Sequence, residues 1–177
     1  MFWEKGIAAD LVDMNDSLEG YNLVAAPLNY MYKEGYPEHV RKFVENGGIF
    51  VNTCFSGMVD DTDLCFTGQS PLEDVLGIIQ EEIDAPSEEF ENQFTYGGSV
   101  YPAQYLCEIV HAKENTEVLA VYEKDFYAGS PVVTRNSFGK GEAYYLAAES
   151  SLDFLRAFYQ DLFREAALEH ALQTKLP

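Results

Sequence analysis

Residues 23–53 carry the pattern that most narrows the fold. Leu23–Ala26 is apolar throughout, as a strand covered on both faces would be, and Pro27 ends it because proline cannot donate to a sheet ladder. Pro37 suits the first turn of a helix. Val40, Phe43 and Val44 then recur at helical spacing, while Glu38, Arg41, Lys42 and Glu45 fall on the opposite side. Gly47-Gly48 stops that helix, and Ile49–Thr53 is a second apolar strand. Strand, helix and strand with short connectors describe a parallel pair, and parallel pairs are stable only under helices on both faces. The chain is therefore expected to be α/β, a three-layer sandwich around a mostly parallel sheet.

The flanking pattern fills in this frame. Phe2–Lys5 reads as the end of a helix, Ala8–Val12 as a short strand, and Asn15–Tyr21 as a polar connector. Ser56–Ser70 is loop-like, Pro71–Leu76 offers one or two helical turns, and Ile78–Ile83 suits a strand. The acidic stretch Ala85–Gly98 reads as an irregular excursion. Antiparallel character follows, with strands at Tyr101–Ala112, Val118–Tyr122, Val132–Thr134 and Ala143–Ala147. The last two are joined by Gly139-Lys140-Gly141, whose glycines supply the positive φ of a tight hairpin. Leu152–Leu172 has a helical apolar stripe with Ser151 as N-cap and Asp153 in its first turn. No linker or repeat divides the 177 residues, so a single domain spanning 1–177 is expected.

Charge excludes whole classes of partner. Thirty acidic residues against eleven basic ones give a formal net charge of −19, and no Lys or Arg occurs between Lys42 and Lys113. Such a surface repels phosphate backbones and anionic membranes, so neither nucleic acid nor membrane is an expected partner. The apolar runs fall well short of the ~20 residues of a membrane helix. The N-terminus lacks the basic and apolar regions of a secretion signal, so a cytoplasmic location is expected. Cys54, Cys65 and Cys107 are odd in number and widely spaced, which fits free thiols better than disulfides or a zinc site.

Two groups of residues are candidates for chemistry. Cys54 closes the strand Ile49–Thr53, where an α/β sheet would present a nucleophile on a sharp turn. Its neighbours are Asn52, bulky Phe55 and Ser56, not the small residues such a turn normally needs. His39, His111 and His170 sit in no motif that marks a base, so a buried structural thiol is the competing expectation for Cys54. His111 shares a strand face with Tyr105, Cys107 and Ile109 by period two. Asp60, Asp61 and Asp63 form an acidic loop that could hold a cation, although the alternating ligands, glycine and closing glutamate of a calcium loop are missing. A glycosidase barrel needs on the order of 250 residues, more than this chain has. Gly139-Lys140-Gly141 lies in a hairpin, without the helix N-terminus that would cradle a phosphate.

Several segments in order resemble the middle, trimerisation domain of glycoside hydrolase family 42 β-galactosidases. They are Leu18-x-x-Tyr21-x-Leu-Val-x-Ala-Pro27, Phe43-Val-x-x-Gly-Gly48, Ser56-Gly-x-Val-Asp60, Asp63-Leu-Cys65 and Val75-Leu-Gly-Ile78 with Glu81-Glu82. Phe126-Tyr-Ala-Gly129 and Thr134-Arg-Asn-Ser-Phe-Gly-Lys-Gly-x-Ala-Tyr-Tyr145 complete the set, which covers roughly residues 8–168. The resemblance implies a fold similar to flavodoxin-like class I glutamine amidotransferases, in which the strand-end cysteine is the nucleophile. It also implies that the β-galactosidase domains lost that chemistry. In the family the catalytic glutamates lie on a barrel domain that this chain lacks, and the barrel holds most of the galactoside. The resemblance thus implies a cofactor-free, non-catalytic assembly domain that self-associates, as a trimer in the full-length enzyme. The parent enzyme would hydrolyse terminal β-D-galactosides with retention. Two other readings stand beside it: an independent amidotransferase-like enzyme using Cys54, and a sugar-binding module suggested by the 12 Tyr and 12 Phe.

Overall fold

The computed structural model describes residues 2–87, 91–166 and 168. The strand–helix–strand pattern forms as expected. β1 (Leu23–Ala26) and β3 (Ile49–Thr53) pair in parallel across α1 (Tyr36–Glu45), with Leu23 opposite Ile49 and Ala26 opposite Asn52. Between them lies β2 (Met31–Tyr32), which pairs in parallel with β4 (Val59–Asp60), a short strand inside the Ser56–Ser70 stretch expected to be loop.

The main sheet has five strands in the order β1, β3, β10 (Gly141–Leu146), β9 (Pro131–Phe138) and β8 (Glu117–Val121). β3 is parallel to both β1 and β10, whereas β10–β9 and β9–β8 are antiparallel. The sheet is therefore mixed, which corrects the expectation of a mostly parallel one. A two-residue turn, Gly139-Lys140, links β9 to β10, and so short a turn can only reverse the chain.

β3 and β10 sort their side chains between two cores. Ile49, Val51, Tyr144 and Leu146 face one cluster, formed with Phe154, Phe158, Tyr159, Leu162 and Phe163 of α3 (Leu152–Glu165). Phe50, Ala143 and Tyr145 face the other, formed with Tyr36, Val40, Phe43 and Val44 of α1 and with Val75 and Leu76 of α2 (Glu73–Leu76). Ser151 caps α3 through its side chain, which accepts from the Phe154 N–H. The helix expected to reach Leu172 is seen as far as Glu165; Ala167 and residues 169–177, His170 included, lie outside the described residues.

A second sheet is organised by the 14-residue strand β7 (Ser99–Ala112). β5 (Ile78–Asp84), β6 (Asn92–Tyr96) and β11 (Ala148–Ser150) all pair with it antiparallel. β6 corrects the irregular reading of Ala85–Gly98. It forms a hairpin with β7 through Gly97 and Gly98, at φ of 56° and 82°, the two left-handed positions such a turn demands. The period-two face expected along β7 is broken at Tyr105, itself left-handed, and the four residues Cys107–Val110 are all buried.

The strand expected at Ala8–Val12 does not form. Those residues follow a single 3-10 turn at Trp3–Lys5 and join no strand among the described residues. Among the described residues no helix is long and apolar enough to cross a membrane.

The β9–β10 turn abuts the end of α1 so closely that Gly141 has no room for a side chain. A Cβ there would lie 2.2 Å from the Gly48 carbonyl oxygen and 2.4 Å from that of Val44, both backbone atoms that cannot swing aside. Gly141→Ala is expected to destabilise the fold by about 2–3 kcal/mol. Gly97→Ala, with open space around it, should cost only the ~1 kcal/mol of left-handed strain. Urea unfolding of the two variants checks the difference.

Candidate functional site

The carboxyl ends of β1, β3 and β10 meet where the sequence placed its nucleophile candidate. Cys54 follows β3 and donates its N–H to the Leu146 carbonyl at 2.7 Å, which continues the ladder to β10. Its side chain is 2% exposed, and burial, with the Glu108 carboxylate second, pushes the thiol far above its ordinary range. The sharp turn expected here exists one residue later. Phe55, not Cys54, takes the left-handed conformation at φ 63°, and its ring stacks on Tyr30 with centroids 5.1 Å apart. The strained position thus presents an aromatic ring, and the thiol points inward.

The described histidines are placed elsewhere. The His39 ring pairs with the Met14 carbonyl at 3.2 Å, and His111 contacts Glu81 on the neighbouring strand. Asp60, Asp61 and Asp63 lie on an exposed turn. One Asp60 carboxylate oxygen accepts from the Thr62 N–H, the Thr62 hydroxyl and the Leu64 N–H, so its hydrogen-bonding capacity is spent on folding the loop. Among the described residues no group of three or more His, Cys, Asp or Glu side chains converges to hold a metal. Arg135 pairs with Glu117 across β8 and β9.

The residue that organises this end of the molecule is one the sequence reading passed over. Glu108 on β7 is 1% exposed. Its carboxylate accepts from the Tyr145 hydroxyl at 2.5 Å, the Gln80 side-chain amide at 2.8 Å and the Phe55 N–H at 3.2 Å. The same Gln80 amide reaches the Ser56 carbonyl, so the left-handed turn is held from two sides. Tyr122 donates its hydroxyl towards the Glu108 and Ala147 carbonyls, where β7 meets the end of β10. By strand period Glu108 belongs to the face opposite Cys107 and Ile109, and so reads as solvent-exposed. The available signal was that Ile109 and Val110 follow it without alternation, as in a strand buried on both faces.

Beside the strand ends runs a groove of about 830 Å³, between Ala8–Val12 on one side and Leu23–Ala25 on the other. Cys54, Leu146 and Tyr159 lie at its floor. Among the residues lining it, Leu11 is fully exposed.

This arrangement defines an α/β domain whose strand-end turn is built for rigidity and whose thiol is buried beside the Glu108 carboxyl group. Residues 1–169 match the family model described as the β-galactosidase trimerisation domain. The chain belongs to that family. It is 40% identical to β-galactosidase Pbg of Clostridium perfringens over 99% of its own length and 27% of that protein. It is 42% identical to β-galactosidase BgaA of a Planococcus species over 96% of its length and 26% of that protein. A crystal structure of the cold-adapted β-galactosidase from Rahnella sp. R3 superposes with a TM-score of 0.93 at 43% identity, over 99% of this chain and 27% of that one. The chain thus spans about a quarter of the length of the relatives it matches.

Two outcomes are expected at the strand end. Cys54 should resist iodoacetamide at neutral pH in the folded protein while exposed Cys65 reacts, as peptide mass mapping would read. Burial also raises the Glu108 pKa above the usual carboxylate range. The folded state therefore keeps this proton to a higher pH than the unfolded chain does. Its stabilising contribution is full below the unfolded carboxylate pKa of about 4.3 and is lost as pH rises through the folded value. Glu108→Gln should flatten the fall in stability above that pH, and parallel denaturation profiles for the two proteins would refute this.

Proposed function

We propose that the chain serves as a non-catalytic assembly domain of a retaining β-galactosidase that acts on terminal β-D-galactosides. The observation that carries this reading is the strand end itself. Where a reactive thiol would have to stand, Phe55 occupies the strained position and Cys54 is buried beside the carboxylate of Glu108. A thiolate is disfavoured there by desolvation and by like charge together. Membership of a trimerisation family and identities near 40% to β-galactosidases supply the context.

The finer affinity that the reading carries is with flavodoxin-like glutamine amidotransferase folds. A cysteine immediately after a central parallel strand, followed by a left-handed residue, supports it. The domain is a scaffold derived from such a fold, in which the turn survives and the chemistry does not. Residues 1–177 act as one unit, the galactoside is held mainly by a barrel in the parent enzyme, and three copies associate. The subunit contact excludes water from apolar and aromatic surface, for which exposed Phe126, Leu64 and Tyr105 are available.

With a charge of −19 on each copy, self-repulsion opposes association until salt screens it. The Debye length falls from about 30 Å at 0.01 M to about 8 Å at physiological ionic strength. Sedimentation equilibrium of the chain should give a mass that rises with concentration towards a trimer, more strongly at physiological salt than at low salt. The same preparation should not hydrolyse a chromogenic β-galactoside. A strict monomer at every salt concentration would count against assembly, and hydrolysis by the chain alone against the non-catalytic assignment.

A further inference from the structure

The groove beside the strand ends is bounded by two runs of main chain with unused hydrogen-bonding groups. On one side is β1, which among the described residues pairs with β3 alone. The Asn22 carbonyl accepts from the Ile49 N–H, so the backbone groups of Asn22 and Val24 point towards β3. Those of the alternate residues, Leu23 and Ala25, then point outward into the groove, since N–H and C=O directions alternate along a strand. On the other side is Ala8–Val12, whose N–H and C=O groups make no hydrogen bond among the described residues.

That second wall is not a loose tail. Ile7 is buried in the core at its start. The Tyr21 hydroxyl donates to Asp10 at 3.0 Å in its middle, and Asp13 just past its end forms an ion pair with Lys33 at 2.7 Å. Ala8–Val12 is thus tethered at its start, in its middle and just past its end. The sequence of this run has strand character, and among the described residues no neighbouring strand pairs with it.

We infer that the groove is a receptor for an added β-strand: an extended, largely apolar segment pairs with the outer edge of β1 on one side and with Ala8–Val12 on the other. Buried edges with unpaired backbone groups are costly, and exposed ones are templates for strand addition. The apolar floor, with Leu146 and Tyr159, suits the inward side chains of such a strand. A small polar ligand would find no cluster of charged groups to orient it. The occupant is a segment of the longer β-galactosidase polypeptide. The relatives have about three quarters of their length outside the matched region, so they carry ample chain to supply one. This source rests on the assembly-domain reading above, whereas the receptor geometry does not.

The test uses the 177-residue chain with overlapping 15-residue peptides tiled over the part of the Rahnella sp. R3 β-galactosidase outside the match. Hydrogen exchange and calorimetry are the readouts. In the free chain the amides of Leu23, Ala25 and Ala8–Val12 should exchange almost unprotected. One overlapping group of peptides should bind and slow exchange at both walls by at least about tenfold. Ala25→Pro removes an outward N–H and should abolish that protection. If it fails to fold, Leu11→Asp, at a fully exposed wall residue, should weaken binding by about tenfold or more. Absence of binding up to ~1 mM peptide, protection confined to other strands, or unchanged affinity in these variants would overturn the inference. A strictly monomeric chain that still captures the peptide would refute assembly and leave the receptor standing. A trimer whose groove stays silent would do the reverse.

Discussion

The buried carboxylate of Glu108 is the interaction on which both sheets depend. It belongs to β7, yet its partners come from β10, β5 and the turn after β3. Burying an isolated carboxylate is so unfavourable that it survives only with its lone pairs occupied. That requirement fixes three elements in relation to one another. Tyr145 has to point to the α1 side of the main sheet, Gln80 has to face inward across β5, and the chain after Cys54 has to turn so that the Phe55 N–H is aimed at the acid. The left-handed backbone at Phe55 costs on the order of 1–2 kcal/mol, and the hydrogen bond from its N–H to the Glu108 carboxyl group offsets about 1 kcal/mol of it. Rigidity at the strand end thus follows from a polar group in the core, not from apolar packing alone.

Elements whose burial is settled by their own sequence neighbourhood were legible. α1 showed its face because Val40, Phe43 and Val44 repeat at the helical period, and β3 showed its burial because Ile49–Val51 has no polar interruption. β6 was hidden by its flanks. Glu88, Glu89 and Glu91 gave the segment an acidic cast, although Phe94 and Tyr96 alternate and Gly97-Gly98 spells a hairpin turn. Sheet direction was harder still, because the parallel half of the main sheet is announced by a helix crossover and the antiparallel half by a short turn. Weighting the first over the second gave the wrong balance.

The site divided in the same way. Cys54 was found because its position at a strand end is a local fact, but its inertness comes first from burial and then from Glu108, more than fifty residues away. Glu108 itself looked like a surface residue, since strand alternation assigns it outward when only one face of β7 is assumed to be covered. The acidic turn at Asp60–Asp63 looked like a ligand set because sequence lists carboxylates without their acceptors' partners. In the folded chain Asp60 closes its own turn by accepting from Thr62 and Leu64, as Asp side chains in loops commonly do.

Ala8–Val12 is the instructive disagreement. The sequence reads as a strand, and the structure leaves it tethered and, among the described residues, unpaired. Apolar alternation and strand propensity record the surroundings in which a segment is buried, and those surroundings need not all lie within one stretch of chain. A segment that merely lacked strand character would expose polar side chains, whereas this one carries Leu11 and Val12 into solvent beside a groove. Exposed apolar side chains next to unpaired backbone on two walls are hard to reconcile with a finished surface. The mismatch between pattern and pairing therefore locates the place where the domain is completed by something else. It also accounts for the parallel half of the sheet ending at β1, whose four residues are all only half-buried. A parallel strand is stable when both its faces are covered, and an open edge is a template for pairing; among the described residues β1 has no neighbour on one edge.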